Sequence, residues 1–298
     1  VRDRDQYLLE QTYDKMYEST SNRVLVPRRV GEERASHHLR IAQRRIHEYI
    51  QNGSQGDLNL DNTPIDSLPD NLTVNGNLYL RNTKQLIKLP NRLRVNGSIF
   101  LISSRVTVLP EDIVIGKSIL ITSTQITALP DGMKAINGKL EASYSLLKGL
   151  PQGLTVKGDL DLEATVIADL PNKLRVGGGL NLFGNKHIRS LPDDIVIGTN
   201  LTIAHTYITK LPASIRYLNS LNAGYSKLSA LPANFEVAVD LNLASTPIEN
   251  IPRDIIVGNV MRIRDTPFLK KMKEQGYTLS ELDTMYQGVQ TIHTKLNA

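Results

Sequence analysis

The 298 residues contain no cysteine and no tryptophan. The first absence excludes disulfides, thiolate metal sites and a cysteine nucleophile together, and it fits a reducing compartment. The second, with aromatic residues at only 5%, leaves the core to Leu, Ile and Val. No apolar run approaches the roughly 18 residues of a membrane-spanning helix, and the charged start Val1-Arg2-Asp3-Arg4-Asp5 leads into no signal-like apolar region. A strong charge of one sign is also missing. The formal excess is +5, too little over this length to argue for nucleic acid.

What the chain does have is one phrase repeated. Leu68-Pro69-Asp70-Asn71-Leu72-Thr73-Val74-Asn75-Gly76-Asn77-Leu78-Tyr79-Leu80-Arg81-Asn82-Thr83 states it, and Leu89-Pro90 begins it again. The Leu-Pro or Ile-Pro pair recurs at Leu68, Leu89, Leu109, Leu129, Leu150, Leu170, Leu191, Leu211, Leu231 and Ile251, a step of 20 or 21 residues. A fixed period of this length marks a leucine-rich solenoid, whose coils bury their apolar sides against one another. The expected fold is an α/β solenoid of about eleven coils over residues 56–268, with a parallel sheet and a helical cap at each end. Within each coil, x-L-x-L alternation gives a strand with one buried face. Proline, unable to donate to a ladder, belongs on the return side. Gly76, Gly97, Gly116, Gly138, Gly158, Gly198 and Gly258 are expected to turn the chain into each strand. Where a coil has 21 residues, the extra one falls in a loop near Gln85-Leu86, Ala135-Ile136 or Lys186-His187.

A small polar residue follows every strand: Thr63, Thr83, Ser104, Thr124, Ser145, Thr165, Asn185, Thr206, Ser226, Thr246 and Thr266. Any one could be read as a nucleophile. Their repetition assigns them to a ladder that satisfies backbone groups at the bend, where an unpaired buried group costs about 1–3 kcal/mol.

The flanks are helical in pattern. Residues 1–21 carry Leu8, Leu9, Tyr13, Met16 and Tyr17 at near-helical spacing. So short a helix must dock to bury that side, on this chain or on a neighbour, and it is read as an anchoring arm. Residues 22–55 give a linker through Gly31 and then a basic helix from about Glu32 to Ile50, with Leu39, Ala42, Ile46, Tyr49 and Ile50 as its stripe. Residues 269–298 form the second cap. There Thr278-Leu279-Ser280-Glu281 is a capping box, with Leu282, Met285, Val289, Ile292 and Leu296 as a helical stripe behind it.

Candidate binding residues sit on the strand face. Tyr79, Phe100, Ile102 and Leu120 form an apolar stretch across consecutive coils, the kind of patch that marks a protein contact. Glu141, Asp159, Asp161 and Glu163 form an acidic cluster, and its default reading is a solvated face. Arg262 and Arg264 with Lys270, Lys271 and Lys273 make a basic edge. His37, His38 and His47 lack ligand spacing, so no metal is expected. Gly177-Gly178-Gly179 precedes no Lys-Ser/Thr and is a turn, not a phosphate cradle. Arg28, Arg29, Arg34, Arg40, Arg44 and Arg45 have no interleaved aromatics, which argues against nucleic acid.

These repeats resemble the short bacterial leucine-rich repeats. Two groups share the Leu-Pro wording. Secreted effectors often end in a Cys-dependent ubiquitin ligase domain, an activity not carried over to a chain without cysteine. The string L-P-D-N-L-T-V-N-G-N-L-Y-L-R-N-T is more similar to leucine-rich repeat proteins encoded by tailed bacteriophages. The opening Asp5-Gln6-Tyr7-Leu8-Leu9-Glu10-Gln11-Thr12-Tyr13 also resembles N-terminal segments of large tailed-phage proteins. The resemblance implies a non-enzymatic protein-binding module, a structural or decoration component of a virion assembled in the bacterial cytoplasm. Its partner would be a virion protein such as the capsid, or further copies of the chain. No cofactor, membrane or small-molecule substrate is implied. The alternative is a phage or bacterial effector or regulator that binds a host protein through the strand face.

Overall fold

The computed structural model describes residues 27–286 and 291–293. The chain forms two units, residues 1–41 and 42–298, with helix α1 (Pro27–Gln51) running across the boundary. Of the first unit only the helical stretch from Pro27 is described, and the proposed arm of residues 1–21 lies outside the described residues. The helix begins five residues before the expected Glu32, because Pro27 opens it. Proline is suited to the first helical position, where its missing N–H has no partner to lose.

In the second unit the leucine period becomes a solenoid. Eleven strands of two or three residues, from Leu58–Asn59 to Val260–Arg262, stack in parallel as one sheet, and a twelfth, Thr291–His293, extends it. The register repeats the sequence period: Leu78 faces Ile99, Ile99 faces Ile119, Leu160 faces Leu180. From Leu58–Asn59 to Leu241–Asn242 each strand of this sheet buries a Leu or Ile, as with Leu78 and Ile99 at 0% exposure, and Val260–Arg262 buries Met261. Each such side chain is worth about 1.5–3 kcal/mol against its exposed state.

The return side holds strands that the alternation of the sequence did not announce. Two-residue strands, one per coil, such as Thr73–Val74, Arg94–Val95 and Tyr217–Leu218, form three short parallel sheets: 73–115, 135–197 and 217–257. Within a sheet each coil-to-coil step carries three backbone bonds, such as Thr155 N–H to Lys134, Lys157 N–H to Ile136 and Gly158 N–H to Gly138. At the two breaks a single one is found, Gly138 N–H to Lys117 and Asn219 N–H to Thr199. Both breaks fall where glycine is followed one coil later by asparagine, Gly116 by Asn137 and Gly198 by Asn219.

The repeated glycines sit in the bend that leads into each strand, as expected, and several are also points where the neighbouring coil comes too close for a side chain. At Gly258 an added Cβ would lie 2.0 Å from the Ala238 carbonyl oxygen, and at Gly177 2.2 Å from that of Lys157. The turn out of each strand is made elsewhere, at a left-handed residue after the strand. Asn62, Asn82, Ser103, Ser123, Tyr144, Ala164, Gly184, His205, Tyr225, Ser245 and Asp265 all have φ between 51° and 72°. Left-handed backbone costs most non-glycine residues roughly 1–2 kcal/mol, Asn and Asp least, so at Tyr144 and Ala164 stacking imposes a corner that the side chain does not favour.

The caps differ in part from their sequence reading. At the N-terminal end, Ala42 and Ile46 are buried but Ile50 is 43% exposed. The Tyr49 hydroxyl lies 2.7 Å from the Ser54 carbonyl and 2.9 Å from that of Gly56, and accepts from the Asn75 N–H at 3.3 Å. At the other end come α2 (Pro267–Glu274) and α3 (Leu279–Met285). The Thr278–Glu281 capping box forms, and Phe268, Leu269, Leu282 and Tyr286 are buried. The helical stripe ends there. Ile292 pairs with Met261 in the twelfth strand, since extending the sheet gives its backbone groups the partners that a free helix end lacks. Val289 and Leu296 lie outside the described residues.

Candidate functional site

The small polar ladder is buried except at Thr63, which is half-buried, and it satisfies backbone groups at the bend as expected, mostly carbonyls. The hydroxyls of Thr83, Thr124, Thr206, Thr246 and Thr266 donate to the carbonyl three residues back, at 2.6–2.8 Å. Ser226 does accept from an amide, the Leu228 N–H at 3.2 Å. Asn185 does both kinds of work: its amide donates to Leu162 and Leu182 while its oxygen accepts from Thr165. Ser104 Oγ has no partner among the described residues. Buried hydroxyls engaged in this way form a scaffold.

The outward face is the surface left for recognition. Its central row runs Asn59, Tyr79, Phe100, Leu120, Glu141, Asp161, Asn181, Thr202, Asn222, Asn242 and Arg262 in strict register. At its start the Tyr79 and Phe100 rings stack at 4.5 Å and 14°. The Arg81 guanidinium sits 5.1 Å from the first ring centroid and 4.7 Å from the second, while pairing with Asp61 at 3.3 Å. Tyr79, Phe100 and Ile102 are half-buried. Leu120 is 6% exposed and belongs to the core: it lies between Phe100 and Glu141 in register, and those larger neighbours cover it. Beside the stack, Asp57 accepts from the Asn77 N–H at 2.7 Å, which holds its carboxyl below the usual range.

The acidic cluster comes together in the middle of the face, largely committed to internal bonds. Glu141 pairs with Lys139 at 2.5 Å. Asn181 donates to Asp161 at 3.0 Å and to Glu163 at 3.3 Å. The Tyr144 hydroxyl donates to Glu163 at 2.5 Å, and that bond raises the phenol above its ordinary value. Among the described residues no group of three or more His, Asp or Glu could hold a metal ion. The basic C-terminal edge is also tied down. Arg262 pairs with Asp240, Arg264 with Asp265, Lys270 with Glu274, and Lys271 donates to Asn250.

Sequence reasoning missed the aromatic residues at the corners after the strands. Phe183 meets His205 edge-on at 5.1 Å, and His205 stacks on Tyr225 at 4.8 Å and 7°. Arg264 lies over Tyr225 and bonds its hydroxyl. Two residues past the corner, Tyr207 lies under Arg189 at 5.4 Å. Aligning the repeats and reading the column just after x-L-x-L-x would have shown His205 and Tyr225 one above the other, with Tyr144 three coils before His205. Leu8, Leu9, Tyr13, Met16 and Tyr17 lie outside the described residues.

No family model and no curated protein matches this chain. Among solved structures it is similar to a Shigella effector LRR domain, with 21% identity, 86% of this chain and 89% of that one covered, and a TM-score of 0.34. It is also similar to YopM from Yersinia enterocolitica, with 15% identity, 86% and 68% covered, and a TM-score of 0.34. Neither likeness carries a function to this chain. No helix among the described residues is long and apolar enough to cross a membrane.

Proposed function

We propose that the chain is a non-enzymatic protein-binding module that engages its partner through the strand face at Tyr79, Phe100 and Ile102. The supporting observation is the stacked Tyr79–Phe100 pair under Arg81, half-exposed on a face whose next rows are mostly charged or amide-bearing. Aromatic and arginine side chains of this kind supply most of the energy at protein interfaces. The finer assignment, a structural or decoration component of a tailed-phage virion, is supported by the wording of the repeats. In this reading the apolar side of residues 5–18, with Leu8, Leu9, Tyr13, Met16 and Tyr17, is a second attachment point, supported by its sequence pattern.

The test is association with purified phage particles. The full chain should copurify in fixed stoichiometry, and Tyr79→Ala with Phe100→Ala should lower the affinity by about thirtyfold, the ~2 kcal/mol of a hot spot. Deletion of residues 1–21 should abolish incorporation while leaving the circular dichroism of the solenoid unchanged. A chain absent from particles and held by a host protein would overturn the virion assignment in favour of an effector role.

A further inference from the structure

The strand face is one surface of the array. The loop edge just beyond it is another, and over three consecutive coils it combines exposed cations with contacting aromatic rings. Residues 184–191, 205–211 and 225–231 contain no Asp or Glu, while Lys186, Arg189, Lys210 and Lys227 all stand exposed there. None of these four is in an ion pair among the described residues. The second and third of these coils are in direct register at this edge, with Lys210 paired to Ala230 and the Ser229 N–H donating to Thr209 at 2.9 Å, and Arg189 of the first reaches over the Tyr207 ring of the second at 5.4 Å. Equivalent positions on those two coils are therefore about 4.8 Å apart, and the four cations lie along one short stretch of the edge.

Exposed rings are interleaved with them. Phe183, His205 and Tyr225 form the edge-and-stack array, and Tyr207 carries Arg189 on its ring. A basic strip with aromatics can take single-stranded nucleic acid or an acidic polypeptide. The rings discriminate. Bases bind such strips by stacking on open ring faces, whereas here each ring already meets a ring or a guanidinium from another coil. Rings stacked on each other leave their rims outward, and the rim is the positive part of the aromatic quadrupole. Rims and ammonium groups together suit carboxylates.

We infer that the loop edge at Lys186, Arg189, Lys210 and Lys227 is a docking surface for an acidic polypeptide segment of a protein partner. It rests on the protein-binding reading but uses none of the strand-face residues, so the two fail separately.

Fluorescence anisotropy on the full chain tests it with three labelled probes: a peptide of alternating Glu and Ala, the same peptide with Lys for Glu, and oligo-dT. The Glu peptide should bind, more weakly as salt is raised, and the Lys peptide should not. Lys186→Glu with Lys227→Glu should weaken the Glu peptide at least tenfold. Lys84→Glu with Lys88→Glu, the same charge change on another stretch of this edge without stacked rings, should weaken it less than threefold. Equal losses in the two double variants, no binding of the Glu peptide, or tighter binding of oligo-dT would each overturn the inference.

Discussion

Replacing Gly258 with alanine would put a methyl carbon 2.0 Å from the Ala238 carbonyl oxygen and 2.9 Å from its carbon. A carbon and an oxygen in contact sit about 3.3 Å apart, so the two coils must separate by roughly 1 Å. That movement falls on the bonds that join them there, Gly258 N–H to Val237 at 2.9 Å and Asn259 N–H to Val239 at 3.0 Å. Each contributes about 0.5–1.5 kcal/mol. The flanking Ile255 and Val257, 1% and 0% exposed, lose contact as well. The expected loss is roughly 2–4 kcal/mol. Because a stacked array is stabilised by nearest-neighbour interfaces, the damage should concentrate at the C-terminal end. Guanidinium unfolding followed by far-ultraviolet circular dichroism gives the measurement. Gly132→Ala is the control, since nothing lies within 4 Å of its added Cβ. If the two variants unfold within about 0.5 kcal/mol of each other, the close-approach reasoning is wrong.

Three further predictions concern other parts of the coil. Thr124→Val removes a buried hydroxyl bonded at 2.6 Å and should cost about 1 kcal/mol, whereas Ser104→Ala removes an unpartnered one and should be neutral or stabilising; chemical denaturation of both variants checks the opposite signs. Ala164, held at φ 51°, should gain up to about 1 kcal/mol of stability as Ala164→Gly, and an unchanged unfolding midpoint would count against strain at the corner. Burial pushes the Tyr286 phenol up to about 12 from its ordinary 10. The unfolded chain therefore releases that proton first, so stability is fully present below pH 10 and is lost as the pH rises towards 12. Tyr286→Phe should flatten the alkaline part of a stability–pH profile over that window, and an unchanged slope would refute the assignment.

The period of Leu68, Leu89 and Leu109 was legible because each coil meets the same need, to bury a Leu against its neighbours. The return strands were not legible, since two-residue pairs such as Thr73–Val74 are too short for alternation to register. The left-handed corners could be guessed at Asn62 and Asn82 but not at Tyr144 or Ala164, where stacking overrides local preference. The same holds for Ile292, whose sequence spacing fits a helix while the open end of the sheet offers a strand. On the strand face, Tyr79 and Phe100 were found from their apolar character. Leu120 was misplaced for the same reason, because sequence cannot say which apolar residue its neighbours will cover.

The interrupted return sheets give the array an uneven stiffness. One long sheet runs through every coil like the spine of a book, while behind it three bound sections are joined by a single backbone bond at each gap. Bending strain collects at Gly116–Asn137 and Gly198–Asn219, where the fewest bonds resist it. The first gap lies between the Tyr79–Phe100 stack and the carboxylates, and the second runs beneath the stacked rings of Phe183, His205 and Tyr225. A partner that spans either gap meets a surface whose pitch can adjust by opening one joint, without unwinding any coil. Amide exchange in the native protein should be fastest at those two joints and slow within the sections between them.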